Sequence, residues 1–247
     1  MSIASPATDR TVIDAVRSLE PAARAEWREL VDLESPSSDT AALGRTLTWI
    51  DGRLAALGAE LERIPAPPAL ARVGAPDGTS AGAGITVARR NGDAAGRMLL
   101  GVHLDTVHEH WSGPTWVESG SRVTGPGVAD MKGGVMVALL ALRALDQAGL
   151  RDMAWTFIAT TDEETGSWAS REGSWASREA LARLAPGHAA AFIPEPAMAD
   201  GSVVAQRPGS ARVTIDATGR AAHAGRDATR GISAVTALCE SVAAAAR

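Results

Sequence analysis

The sequence predicts an α/β protein built in layers, and three observations support that prediction. Helix-length segments with apolar residues on one face alternate along the chain with shorter apolar runs of strand length. Glycine and proline residues separate these segments. The chain of 247 residues is long enough to bury a core in one large or two smaller domains. Strands that alternate with helices usually form a sheet covered by helices.

The first half of the chain predicts two helices followed by two strands. Residues Asp14–Glu34 and Thr40–Leu57 have the periodicity of amphipathic helices. Residues Gly84–Arg90 and Arg97–Val102 have the composition of strands. The turn residues Asn91–Asp93 between them predict a β-hairpin, because Asn-Gly is a frequent hairpin turn.

The middle of the chain predicts one helix and two further strands. Lys132–Ala148 is strongly apolar and is followed by a glycine, which is typical of a helix end. Met153–Thr161 and Ala189–Ile193 are short apolar runs, which predict buried strands.

From about Gln206 onward, the sequence predicts the beginning of a second domain. Ser210–Ala217 alternates like a strand, and Gly231–Ala246 is an alanine-rich helix. One strand and one helix cannot bury their own apolar faces. We therefore expect the chain to be C-terminally incomplete, with domains at 1–205 and 206–247.

One short segment is duplicated in tandem. Gly166–Glu172 is followed at once by the identical copy Gly173–Glu179. Because seven residues are close to two helical turns, an inserted copy rotates a helix by only about 20°. We interpret the copy as a duplication tolerated at a helix start. The alternative is an aromatic platform formed by Trp168 and Trp175.

The composition is that of an ordinary globular protein. A hydrophobic content of 45% and a net charge of -5 provide no basic surface for nucleic acid or an anionic membrane. No run approaches the roughly 18 apolar residues of a membrane span, and the first residues lack a signal-peptide core. Cys239 is the lone cysteine, so we expect it to be a small buried hydrophobe. We expect a cytoplasmic location.

Residues typical of a metal site follow several of the predicted strands. His103 and Asp105 lie two positions apart at the end of an apolar run, so their side chains project to the same side. A carboxylate beside a histidine can hold the proton of the second ring nitrogen and orient the imidazole for a metal. Four further carboxylates occupy strand ends or Gly-rich turns: Asp130, Glu163, Glu164 and Glu195. This pattern predicts a hydrolytic two-metal site.

The carboxylates can take different roles in such a site. Asp130 lies between two pairs of glycines and can bridge two ions about 3.5–4 Å apart, because each of its oxygens can face one ion. Of Glu163 and Glu164, one can bind metal while the other takes a proton from activated water. An acidic pair alone is more often a solvated loop, but this pair follows the apolar run Trp155–Ala159.

Five motifs together resemble the co-catalytic zinc aminoacylase/carboxypeptidase family, which includes glutamate carboxypeptidase, acetylornithine deacetylase and succinyl-diaminopimelate desuccinylase. They are, in order, His103–Val107, Gly127–Gly134, Thr161–Ser167, Glu195–Pro196 and Gly219–Gly225. The segments Ala191–Pro196 and Asp200–Val203 are most similar to the bacterial glutamate carboxypeptidase branch. The resemblance implies a catalytic domain with a mixed central sheet flanked by helices, followed by the first strand-helix unit of an α+β lid/dimerisation domain.

The resemblance also implies a role for each site residue. His103, Asp130 and Glu195 would hold one Zn²⁺, and Asp130 would bridge to a second Zn²⁺ held by Glu164. Co²⁺ or Mn²⁺ could replace zinc in such a ligand set. Glu163 would be the general base, and Asp105 would orient His103. In the family, the histidine that matches His223 reaches the active site of the partner subunit in a homodimer and stabilises the oxyanion. A cis peptide commonly adjoins the bridging aspartate, so we expect an unusual backbone at Asp130-Met131.

Two departures from the family pattern keep alternatives open. The family takes a further zinc-ligating histidine from a C-terminal segment, and no residue here matches it. His188 lies at no matching position, and the segment His108–His110 corresponds to a rim loop rather than to ligands. We expect a hydrolase of the amide bond in N-acyl amino acids or small peptides, similar to glutamate carboxypeptidase. The alternatives are an N-acyl amino acid deacylase and a catalytically impaired fragment that binds one metal or dimerises without turnover.

Overall fold

A computed structural model of the chain describes residues 6–66, 83–92, 96–109, 111–166, 177–206 and 215–245. Most of the predicted strand Ser210–Ala217 lies outside these residues, as do Trp168, Trp175 and His110. The chain divides into two compact units, Met1–Gly201 and Ser202–Arg247.

The first unit contains all the described strands and four of the helices. The helices are α1 (Pro6–Asp32), α2 (Thr40–Ala56), α3 (Gly134–Gln147) and α4 (Ser177–Leu184). The strands are β1 (Glu60–Ile64), β2 (Ile85–Arg90), β3 (Arg97–His103), β4 (Val117–Ser119), β5 (Arg122–Thr124), β6 (Trp155–Thr160) and β7 (His188–Phe192). In the second unit, a 3-10 turn at Ala228–Arg230 precedes α5 (Ala234–Ala245).

The central sheet is mixed and has helices on both faces. Its strand order is β1-β2-β6-β3-β7, while β4 and β5 form a separate two-stranded sheet. The β1/β2 and β2/β6 pairs are antiparallel, whereas β6/β3 and β3/β7 are parallel. Phe157 of β6 packs into the main core with α1, α2 and α3, while its neighbour Ile158 packs with Ala180 of α4. The predicted α/β fold with a mixed central sheet is therefore confirmed.

The predicted hairpin between β2 and β3 is wrong. Among the described residues these two strands form no ladder, because β6 lies between them and pairs with both. Ala159 of β6 is opposite Thr86 on one side and Val102 on the other. Every residue of β6 is buried. An entirely buried strand needs hydrogen-bonding partners on both edges, and this requirement outweighs the proximity of β2 and β3 in sequence.

The segment before α3 is irregular, so this helix begins at Gly134 rather than at the predicted Lys132. Asp130 (φ -113°, ψ 101°) and Met131 (φ -122°, ψ 32°) have non-helical backbone angles. The turn Val128–Gly133 therefore presents Asp130 ahead of the helix instead of within it.

Two predictions of burial are also wrong. Strand β7 is largely exposed, and Phe192 at its end is 53% accessible, because β7 is the edge strand of the sheet. Cys239 is exposed as well, since each described residue of α5 is at least partly accessible. Within the described part of the chain, no helix combines the length and the apolar character needed to cross a bilayer.

Candidate metal centre

The candidate site lies where three parallel strands end. Strands β6, β3 and β7 are neighbours, so their carboxyl ends meet at one edge of the sheet. His103, the last residue of β3, is paired with Thr160, the last residue of β6. Glu163 and Glu164 follow β6, and Glu195 follows β7. The sheet therefore brings residues that are far apart in sequence close together in space.

His103 is the centre of this cluster. Its Nε2 atom lies 3.0 Å from Asp130 Oδ1, 3.8 Å from Glu195 Oε1 and 4.0 Å from Glu163 Oε2. His103, Asp130 and Glu164 each offer a ligand atom, and these atoms lie within 4.8 Å of one another. The structure brings together all five residues that the sequence analysis assigned to metal binding and proton transfer.

The donor set fits a divalent cation. Imidazole nitrogen and carboxylate oxygen are ligands of zinc at about 2.0–2.2 Å, so two ligand atoms of one ion lie at most about 4.4 Å apart. The ligand atoms of His103, Asp130 and Glu164 need only a small closure to reach that spacing. These groups could therefore hold a divalent cation.

A buried layer supports an exposed acidic layer in this centre. The side chains of His103 and Asp105 are 2% and 0% exposed, while those of Asp130 and Glu163 are 57% and 53% exposed. The buried Asp105 therefore holds the imidazole of His103, whereas the carboxylates of Asp130 and Glu163 face an open surface that a substrate can reach.

Crowding of the carboxylates shifts the protonation of the cluster. Burial lowers the pKa of His103, but the side chain of Asp105, helped by Glu195 and Glu163, outweighs burial and raises that pKa to about 9. Burial raises the pKa of Glu164 to about 7; His103 opposes this shift and Asp130 adds to it. Burial also raises the pKa of Glu195. Without a cation, the cluster holds protons that a cation would displace.

Cation binding should therefore become tighter as the pH rises. A metal requires neutral His103 and ionised Glu164, whose pKa values are raised to about 9 and about 7. We expect the affinity for Co²⁺ to increase from about pH 6 to about pH 8, with release of protons on binding. Calorimetric titration in two buffers of different ionisation enthalpy measures both quantities. An affinity independent of pH would contradict this arrangement.

Asp105 contacts more of the site than the sequence analysis expected. His103 Nδ1 lies 3.0 Å from the backbone oxygen of Asp105 and 3.5 Å from its Oδ1. The carboxylate also accepts hydrogen bonds from the backbone N–H groups of Glu163 (3.2 Å) and Glu164 (3.0 Å). Asp105 therefore holds both the imidazole and the acidic pair.

The loop that carries Asp130 is tightly packed. Gly127 has φ +65°, and a Cβ atom there would lie 2.6 Å from Thr106 Cγ2. The peptide bond between Asp130 and Met131 is cis, in agreement with the unusual backbone that the resemblance implied. The backbone N–H of His103 donates to Met131 Sδ at 3.0 Å. These contacts bring the loop against the end of β3.

Gly134 is required by a close approach of two segments. A Cβ atom at this position would collide with the backbone oxygen of Pro194, the residue before Glu195. We expect Gly134→Ala to destabilise the fold by about 1–3 kcal/mol and to weaken Co²⁺ binding. Gly44→Ala is the matched control, since Gly44 lies inside α2 with no atom near the added methyl group. That control should stabilise the fold by about 0.5–1 kcal/mol.

Urea unfolding and Co²⁺ titration of the two glycine variants test this assignment. Equal stability and equal affinity in both would show that the approach of Pro194 to α3 has no influence on Glu195.

Two other histidines lie apart from the ligand cluster. His108 is exposed on the rim of a cleft that Asp130 and Glu164 also line, and it packs edge-on against Trp111. His188 has Nδ1 3.0 Å from Ala185 O and Nε2 2.9 Å from Thr156 Oγ1. Both ring nitrogens of His188 are thus engaged away from the cluster.

His223 belongs to the second unit. It is exposed, its Nδ1 accepts a hydrogen bond from the backbone N–H of Gly225 at 3.1 Å, and its backbone oxygen accepts from Arg226 and Asp227. These contacts shape a turn, and the catalytic role of His223 stays a prediction.

The sequence analysis missed two residues that contact the site from beneath. Ser37 Oγ donates to Asp105 Oδ2 at 2.9 Å. Lys132, buried beside the Asp130 loop, donates from Nζ to Leu33 O at 2.8 Å. Burial lowers the pKa of Lys132 to about 8, against the opposing influence of Glu34 and Asp32. That Lys132 is the chain's lone lysine, within a Gly-rich turn, was a signal that could have pointed to it.

Comparison with known proteins agrees with this geometry. The model of peptidase family M20/M25/M40 matches residues 99–246. Carboxypeptidase G2 of Pseudomonas sp. (strain RS-16) is 30% identical over 231 residues, which are 92% of this chain and 51% of that protein. Acetylornithine deacetylase of Salmonella arizonae is 30% identical over 154 residues, 59% of this chain and 37% of that protein. The chain thus spans about half the length of the first relative and less of the second.

Solved structures share the fold. Human carnosine dipeptidase 1 superposes with a TM-score of 0.60 at 20% identity, covering 76% of this chain and 41% of that one. Aminopeptidase PepT of Bacillus cereus superposes with a TM-score of 0.58 at 19% identity, covering 90% of this chain and 55% of that one. The family resemblance noted in the sequence is confirmed, and the chain belongs to peptidase family M20/M25/M40.

Proposed function

We propose that this chain carries the metal centre of a hydrolase that cleaves the amide bond of N-acyl amino acids or small peptides. The observation that supports this proposal is the convergence of His103, Asp130 and Glu164 within 4.8 Å. Glu163 and Glu195 approach the same imidazole within 4.0 Å. Membership of a peptidase family agrees with such chemistry.

We assign His103, Asp130 and Glu195 to one Zn²⁺, and Asp130 with Glu164 to a second. Co²⁺ or Mn²⁺ would suit the same nitrogen and oxygen ligands. When bound, such ions polarise the scissile carbonyl and lower the pKa of water to near neutrality. Asp105 holds the imidazole of His103 so that Nε2 faces the carboxylates.

Glu163 is the proposed general base. Its side chain is half exposed and is not one of the four proposed metal ligands, so a carboxylate oxygen can face the attacking water. Its backbone N–H is held by Asp105. Glu163 takes the proton from water and then passes it to the leaving amide nitrogen, so the proton count balances over the reaction.

Two substrate classes follow from the two curated relatives. The likeness to carboxypeptidase G2 favours a carboxypeptidase, and the motif resemblance to glutamate carboxypeptidase suggests substrates ending in glutamate. The likeness to acetylornithine deacetylase favours N-acetyl amino acids. Measuring glutamate release from an N-acyl glutamate against acetate release from an N-acetyl amino acid separates them. Faster glutamate release supports the carboxypeptidase proposal, and faster acetate release supports the deacylase.

A metal-binding chain without turnover is the second candidate. In the described part of the chain the ligand cluster contains one imidazole. The motif resemblance noted in the sequence implies a further histidine for the second ion. Two tightly bound ions per chain, counted by mass spectrometry, would support catalysis. One ion or none, together with undetectable amide hydrolysis, would favour the non-catalytic alternative.

We also propose that the second unit forms a homodimer in which His223 serves the partner's site. Analytical ultracentrifugation measures the association. The variant His223→Ala should lower kcat without changing the number of bound ions, since His223 is proposed to contact the oxyanion rather than the metal.

A further inference from the structure

The linker between α1 and α2 contacts the metal centre from below. Its residues Ser35, Pro36 and Ser37 run alongside the end of β3 and form a short parallel bridge at Thr106. The backbone N–H of Thr106 donates to Ser35 O at 2.9 Å, and the backbone N–H of Ser37 donates to Thr106 O at 3.2 Å. This isolated bridge holds the linker beside the residue that follows Asp105.

Ser37 uses its side chain as well as its backbone in this pairing. The residue is buried, and its Oγ atom lies 2.9 Å from Asp105 Oδ2 and 3.3 Å from Thr106 O. A hydroxyl has only one proton to donate. Asp105 Oδ2 is the nearer of the two oxygens, and as a carboxylate oxygen it is a stronger acceptor than the backbone oxygen of Thr106. The hydroxyl therefore donates to Asp105.

Asp105 depends on such donors because its carboxylate is fully buried. Oδ2 receives the Ser37 hydroxyl and the backbone N–H of Glu164, and Oδ1 receives the backbone N–H of Glu163. These donors fix the rotation of the carboxylate, and that rotation determines where Oδ1 stands relative to the His103 ring. Without the hydroxyl, the buried Oδ2 oxygen keeps one donor instead of two.

We infer that Ser37 is a positioning residue of the metal centre, acting through Asp105 on His103 and on the Glu163-Glu164 turn. The inference rests on the proposed function, since it presumes that these groups bind a cation. It adds the linker, which precedes every assigned ligand in the sequence, to the parts that determine cation affinity.

The linker also contacts the loop that carries Asp130. Lys132 Nζ donates to Leu33 O at 2.8 Å, and Lys132 follows Asp130 by two positions. The same segment thus contacts the loop of Asp105 through Ser37 and the loop of Asp130 through Leu33. Both loops contact the same linker, so a displaced linker changes the spacing between His103 and Asp130.

Ser37→Ala is the direct test, and the chain offers a matched control. Ser35 is also a buried serine of the linker, and its Oγ has no hydrogen-bond partner among the described residues. Ser35→Ala therefore removes the same atom from the same segment without removing a contact to Asp105. Ser37→Thr keeps the hydroxyl, and Ser37→Cys keeps the size with a weaker donor.

The measurement is a titration of the metal-free full chain with Co²⁺, followed by visible d–d absorption, with the unfolding midpoint recorded alongside. We expect Ser37→Ala to weaken Co²⁺ binding about 10-fold and to change the shape of the absorption band. Ser35→Ala should match the wild type, Ser37→Thr should restore affinity, and Ser37→Cys should fall between. If Ser37→Ala does not fold, Ser37→Cys provides the comparison.

The two proposals fail in different ways. Unaltered affinity and absorption in Ser37→Ala and Ser37→Cys, or an equal loss in Ser35→Ala, would overturn the positioning role while leaving the metal centre intact. A wild-type chain that binds no Co²⁺ would overturn the proposed function, and the inference with it.

Discussion

Asp130→Ala should lower the affinity for Zn²⁺ or Co²⁺ by more than about 100-fold, beyond what the loss of an outer-shell partner costs. Asp130 is the carboxylate nearest to His103 Nε2, at 3.0 Å, and it is the proposed ligand of both ions. One substitution therefore weakens both positions of the proposed pair.

The fold should survive Asp130→Ala, because the Asp130 side chain is largely exposed. A change in the free energy of unfolding within about 0.5 kcal/mol is expected for such a position. Competition of the protein with a chromophoric chelator measures the affinity. Asp152→Ala, at an exposed turn residue, is the control. Retention of wild-type affinity by Asp130→Ala would rule out Asp130 as the bridging ligand.

Glu163→Gln should lower kcat for amide hydrolysis by about 10²–10⁴-fold, the range for loss of a general acid–base group. The amide of glutamine cannot take a proton from water but has nearly the same shape. KM and the number of bound ions should change little, since Glu163 is not one of the four proposed metal ligands. Kinetics of the metal-loaded variant against an N-acyl amino acid give both parameters.

Glu20→Gln, on the exposed surface of α1, controls for the loss of one negative charge. Undiminished kcat in metal-loaded Glu163→Gln would mean that another group accepts the proton. The two active-site variants should differ in a diagnostic way: Asp130→Ala loses metal and activity together, whereas Glu163→Gln loses activity and keeps metal. An identical metal loss in both would place Glu163 among the ligands.

Much of the fold could be predicted because apolar periodicity is local. The helices α2 and α3 and the strand β6 lie close to their predicted positions. Strand pairing was predicted less well, because it depends on which strands need partners on both edges. The insertion of β6 between β2 and β3 is invisible in the turn residues that suggested a hairpin. The exposure of Phe192 has the same origin, since edge position is a property of the whole sheet.

The residue types of the candidate site were evident in the chain, whereas their supports were not. Histidine nitrogens and carboxylate oxygens are common metal ligands, so His103, Asp130 and Glu164 could be chosen from the sequence as candidate ligands. Ser37 is one of several serines in the linker. Ser35, two positions earlier, is also a serine and is buried to nearly the same extent. The hydroxyl of Ser37 donates to Asp105, whereas that of Ser35 has no hydrogen-bond partner among the described residues, and this difference arises from the path of the backbone past β3.

Local chemistry along the chain predicted the layered fold, the residue types of the candidate site and the family resemblance. The three-dimensional arrangement showed which carboxylate faces His103 at 3.0 Å, that Asp105 is fully buried, and that the linker contacts the loops of both Asp105 and Asp130. The physical reason is that propensity and ligand chemistry belong to single residues and short windows. Hydrogen bonds between residues 68 or 99 positions apart form only when the sheet brings separate segments together.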